Sequence, residues 1–154
     1  MRLHYIIIPL ITLLTATLGG NVTTKGMEWY KTINLPSWTP PGSLIGMVWT
    51  TIFILATISA IIFWNKSPRN NRFLITVLIF LINAVLNFGW SYLFFGLHKL
   101  NLAILESVLL GTSVFVLLFL IWPVSRLASI LLLPYGLWVT FATYLTYVVS
   151  SLNK

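Results

Sequence analysis

The chain has no cysteine and, among 154 residues, only two acids and two histidines. The missing cysteines exclude disulfides, thiolate metal sites and cysteine nucleophiles. Glu28 and Glu106 lie far apart, and only Glu106 falls well inside an apolar run, so no carboxylate pair is available for acid–base chemistry within a bundle. His4 and His98 sit near the ends of apolar runs, with no His-Glu cluster of the kind zinc requires, so no metal is expected. No glycine-rich phosphate loop precedes a helix and a Lys-Ser/Thr pair. Charge as a whole is scarce: 7% of residues are charged against 58% hydrophobic. Soluble domains carry about 25% charged residues, so this chain could not cover its surface in water, and the lipid bilayer is its expected solvent.

What charge remains is mostly basic, with nine Lys and Arg giving a net +7. These residues stand singly at the ends of apolar runs rather than on one face. That pattern fits interfacial anchoring, and no nucleic-acid partner is expected. Uncharged stretches near 20 residues are long enough to cross a hydrocarbon core of about 30 Å. They predict an all-α integral membrane protein, a five-transmembrane-helix bundle forming one domain over 1–154. The spans are set at about 3–22, 43–64, 73–95, 100–122 and 127–150. The first run is long for a signal h-region and reads as a retained helix. An odd number of spans puts the termini on opposite sides. Arg2, Lys66, Arg69, Arg72 and Arg126 then oppose Lys25, Lys31, Lys99 and Lys154, a split too even to orient the chain.

Short links make successive spans antiparallel neighbours. Only the segment 20–42 is long enough to fold over the bundle. It holds Trp29, Tyr30, Trp38 and the prolines of "LPSWTPPGSLIGMVW" (35–49). A loop this apolar is expected either to act as a lid or to lie in the aromatic belt at the headgroups. Within the third span, Asn83, Asn87 and Trp90 share one helical face. They can orient a ligand or hydrogen-bond between helices. Trp138 and Ala142 share a face of the fifth span, and Trp49 and Phe53 pair in the second. Aromatic walls with few polar groups suit either a small-molecule cavity or core packing. Glu106 can serve as a buried proton or cation site, or bond to a neighbouring helix. Pro9 and Pro134 are expected to kink their spans. Gly42 and Gly46, and Ser107 and Gly111, are spaced for close helix contact or dimerisation.

The blocks "WY" (29–30), "LPSWTPPGSLIGMVWT" (35–50), "LNFGWSYLFFG" (86–96) and "PYGLWVTFATYLTY" (134–147) resemble the TspO/MBR family, the tryptophan-rich sensory proteins and the translocator protein. The likeness is to its bacterial members and covers nearly the whole chain. It implies a membrane receptor or sensor, in the bacterial cell membrane, that binds porphyrins such as protoporphyrin IX and benzodiazepine-site ligands. It implies a homodimer that requires no cofactor, the porphyrin being the ligand. It also implies light- and oxygen-dependent porphyrin degradation, with Trp138 and Trp49 as candidate redox side chains. By motif, the ligand residues would be Trp49, Asn87, Trp90, Trp138 and Ala142, with Trp29, Tyr30, Pro36 and Trp38 contributed by the loop. The alternative is a transporter or scaffold for tetrapyrroles or other hydrophobic molecules, although five spans cannot form two equal inverted halves. The cholesterol-recognition pattern of animal members is incomplete: six residues separate Tyr147 from Lys154.

Overall fold

The computed structural model describes residues 3–154, so Arg2, one of the cations counted above, lies outside the described residues. The chain is helical throughout its spans. In order they are α1 (His4–Tyr30), α2 (Gly42–Lys66), α3 (Asn71–Ser91), α4 (Leu100–Ile121), the short α5 (Arg126–Ile130) and α6 (Leu133–Leu152). Five units, with α5 and α6 forming one and α3 extended to Gly96, are long and apolar enough to cross a membrane. Neighbouring helices close a ring in the order α1, α3, α4, α6, α5, α2. The all-α, five-span expectation therefore holds.

Three boundaries differ from those expected. α1 runs on to Tyr30, so Trp29 and Tyr30 belong to its last turns and the true loop is only residues 31–41. At about 1.5 Å per residue, its 27 residues reach about 40 Å, past the hydrocarbon core. The charge at Lys25 interrupts the apolar run but not the helix. In the last span, Pro134 does not kink a continuous helix. Lacking an N–H and clashing with the carbonyl four residues back, at Ile130, it ends α5 there and starts α6. Ser125 caps α5 by accepting from the Ala128 N–H at 3.3 Å. Finally, α3 ends in a π turn, Tyr92–Gly96, in which the Leu97 N–H reaches the Tyr92 carbonyl at 2.9 Å.

The wider turn drives Phe94 and Phe95 inward, where they form a core with Ala103 and Val149. α1 packs directly on this turn. A Cβ added at Gly26 would lie 2.6 Å from the Phe95 carbonyl oxygen, so only glycine permits the approach. At its other end α1 is tied to α2. His4 Nε2 donates to Asn65 Oδ1, Asn65 Nδ2 donates to the Tyr5 hydroxyl, and Thr57 Oγ1 donates to Thr12 Oγ1, each at 2.9 Å. α4 is the buried centre, with Leu110, Val114, Leu117 and Ile121 all nearly inaccessible. Ser107 and Gly111 use their small size here, Gly111 meeting Val139 of α6. Gly42 and Gly46 do not: nothing stands within 4 Å of a Cβ at either.

Gly26→Val forces a backbone collision, and it is expected to destabilise the protein by about 1–3 kcal/mol. Gly20→Ala, which meets nothing within 4 Å, should leave stability unchanged or raise it by about 0.5–1 kcal/mol through helix propensity. Thermal unfolding of the two variants in detergent reads the contrast.

A tryptophan-walled cavity as the candidate functional site

Buried amides in a bilayer must find partners within the protein, and one network meets that need across three helices. Tyr135, opening α6, is fully enclosed. Its hydroxyl donates to Asn83 Oδ1 at 3.1 Å and accepts from Asn87 Nδ2 at 2.9 Å. Asn83 Nδ2 in turn donates to Ser113 Oγ of α4 at 2.8 Å, and that hydroxyl donates to the Leu110 carbonyl at 2.7 Å. Asn83 thus binds helix to helix. Asn87 keeps a second role open, because its carbonyl oxygen has no partner among the described residues.

Directly beside this network lies a cavity of about 480 Å³, within the ~300–1,000 Å³ usual for small-molecule sites. α1 contributes Thr15 to Tyr30 along one face. α2 contributes Gly42, Ile45, Gly46, Trp49 and Phe53. The α3 side supplies Asn87, Trp90, Ser91, Phe94 and Phe95, and α6 supplies Trp138, Phe141, Ala142, Leu145, Thr146 and Val149. The aromatic walls brace one another. Trp90 stacks on Phe94 at 5.0 Å, Trp49 meets Tyr135 edge-on at 6.0 Å, and Trp138 tilts over Phe141 at 5.3 Å. The indole N–H groups of Trp90 and Trp138 are fully buried, off the open surface of the cavity, and have no acceptor among the described residues. An unpaired buried donor costs about 1–3 kcal/mol, so a guest toward whose acceptors these rings can turn would be favoured here.

Of the residues expected at a ligand site, Trp49, Asn87, Trp90, Trp138, Ala142 and Tyr30 line this cavity, and Trp29, Pro36 and Trp38 do not. Trp29 faces the α3–α4 turn, stacked on His98 at 4.0 Å, and His98 takes a positive φ of 56° there. Trp38 lies on the outside of α6, stacked on Tyr144 at 5.8 Å. The Pro36 carbonyl accepts from the Thr39 N–H and hydroxyl in a tight turn. Residues 31–41 contribute nothing to the lining, while Pro41 opens α2, its carbonyl accepting from Leu44 and Ile45. The sequence reading missed Tyr135 and the α1 wall. Two asparagines on one buried face called for a shared partner, and the tyrosine of "PYG" was the available hydroxyl.

Glu106 stays apart. It lies beside Gly89 of α3, outside the cavity lining, and neither carboxyl oxygen has a hydrogen-bond partner among the described residues. The expected bond to a neighbouring helix is not made. Groups of three or more metal-ligating side chains are absent among the described residues.

Five membrane-crossing units around an aromatic, tryptophan-rich cavity define a multi-pass integral membrane protein with an internal cavity of small-molecule size. The sequence profile of the TspO/MBR family matches residues 6–152, and the chain belongs to that family. It is similar to the tryptophan-rich protein TspO of Bacillus cereus, at 37% identity over 81% of this chain and 80% of the relative. Protein CrtK of Rhodobacter capsulatus is 35% identical over 87% of this chain and 83% of its own. The pig translocator protein is 30% identical over 92% and 87%.

Tyr135→Phe removes the hub and strands Asn83 Oδ1 and Asn87 Nδ2. It should lower stability by about 1–3 kcal/mol. Adding Asn83→Leu to Tyr135→Phe should cost less than the two single losses combined, since they break one network. Denaturation of the single and double variants measures this.

Proposed function

We propose that this protein is a membrane receptor that binds a flat, amphiphilic tetrapyrrole, protoporphyrin IX being the first candidate, among Trp49, Trp90 and Trp138. One observation carries the reading: Trp49, Trp90 and Trp138, from three different helices, together with Phe53, Phe94 and Phe141, wall one mostly apolar cavity of about 480 Å³. Apolar aromatic faces suit a macrocycle, and the unpaired N–H groups together with the Asn87 carbonyl suit its polar edge. Benzodiazepine-site ligands, aromatic and bearing carbonyl acceptors, fit the same description. The translocator name of a relative agrees with a binding role. Turnover is the second reading. It rests on Trp49 and Trp138, electron-rich side chains lining the same cavity, where an excited porphyrin could oxidise them.

Absorbance of protoporphyrin IX titrated into purified protein tests the proposal. Wild type should give a bound spectrum. Ala142→Phe, which fills the cavity without touching its hydrogen bonds, should weaken binding by more than about tenfold, or ~1.4 kcal/mol. Equal affinity in the variant would place the porphyrin elsewhere. In the light, a bound spectrum that persists in both wild type and Trp138→Phe supports a receptor. Decay that requires Trp138 assigns turnover.

A further inference from the structure

The loop beyond the cavity is latched, and the exposed part of the cavity wall lies at the side. This loop, 31–41, is clasped to the end of α6. The Asn34 N–H donates to Asn153 Oδ1, and Asn153 Nδ2 donates back to the Asn34 carbonyl, both at 2.8 Å. Ile33 and Leu35 pack below the clasp on the Phe94–Phe95 core, and Trp38 is held against Phe141 and Tyr144. The side wall differs. Of all the residues lining the cavity, those that are also exposed are Gly20, Thr24, Gly42 and Gly46, every one on α1 or α2. The three glycines have open space where a side chain would stand. The hydrogen bonds that join α1 and α2 lie toward the other end of α1, at His4, Tyr5 and Thr12.

From this geometry we infer that the cleft between α1 and α2, rimmed by Gly20, Gly42 and Gly46, is a lateral portal through which the ligand passes directly from the bilayer. The inference rests on the reading of the cavity as a porphyrin site. Thr24 precedes the interfacial Lys25, and Gly20 lies about 6 Å deeper along the helix. The portal therefore runs from the headgroups into the acyl region. It admits amphiphiles that lie with a flat apolar body among the chains and a polar edge at the surface. Molecules confined to water meet the latched loop instead.

Stopped-flow quenching of tryptophan fluorescence by protoporphyrin IX, with the protein in phosphatidylcholine nanodiscs, tests the portal. Release is followed by dilution into empty vesicles. Gly20→Phe and Gly46→Phe, made separately, should slow association and release together, each by about tenfold, because a narrowed passage raises the barrier in both directions. Gly46→Leu provides a milder variant should either phenylalanine prevent folding. Asn153→Ala, which unlatches the loop, should leave both rates unchanged. Unaltered rates in the glycine variants overturn the portal, as does a change confined to release and Kd. Faster exchange in Asn153→Ala moves the passage to the loop. If wild type binds no porphyrin, the function proposed above fails, and this inference with it.

Discussion

The geometry of the bundle depends on α1 being fixed to different neighbours at its two ends. Near its start it is tied to α2 by polar contacts at His4, Tyr5 and Thr12. Near its finish it is pressed onto the π turn after α3, where the bare backbone of Gly26 meets Phe95. Between these two anchors the later turns of α1, from Thr15 to Tyr30, border the cavity opposite the first turns of α2. The cavity walls come from α1, α2, α3 and α6, with Leu110 of α4, and the exposed side lies at Gly20, Thr24, Gly42 and Gly46 of α1 and α2.

The polar residues in the spans divide along the same line. Asn83, Ser113 and Tyr135 are fully engaged between α3, α4 and α6, and they tie that half of the ring together. Asn87 stands at the boundary, bonded on one side and open on the other. Trp90 and Trp138 stand beyond it with unpaired N–H groups. In a hydrocarbon solvent such groups are costly. Both belong to residues of the cavity wall, whereas the unpaired carboxyl of Glu106 lies outside it.

Much of this was legible in the sequence. Uncharged run length gave the five spans because a bilayer sets a minimum apolar length. Helical periodicity put Asn83, Asn87 and Trp90 on one face because 3.6 residues per turn is fixed by the backbone. The rest depends on information that does not reside in local pattern. Hydropathy marks where lipid stops and not where hydrogen bonding stops, so α1 appeared too short and Trp29 and Tyr30 were assigned to a loop. Pro134 signalled an interruption, but whether it bends a helix or separates two depends on how its neighbours pack. Trp38, expected either in a lid or in the aromatic belt, packs against Phe141 of the cavity wall and the exposed Tyr144 of α6, a tertiary choice that no spacing encodes. Gly42 and Gly46 have the spacing of a helix contact and instead border open space, because the helix that would have met them is held elsewhere.

The most direct test of the central claim, that this cavity is the ligand site, is a crystal structure of the protein grown with protoporphyrin IX in a lipid phase. The account predicts a macrocycle inside the ring of helices, its face against Trp49, Trp90 or Trp138 and an acceptor within hydrogen-bond distance of an indole N–H. A porphyrin bound on the outer surface, against Trp38 and Tyr144 or between copies of the chain, with the cavity unchanged, would contradict it.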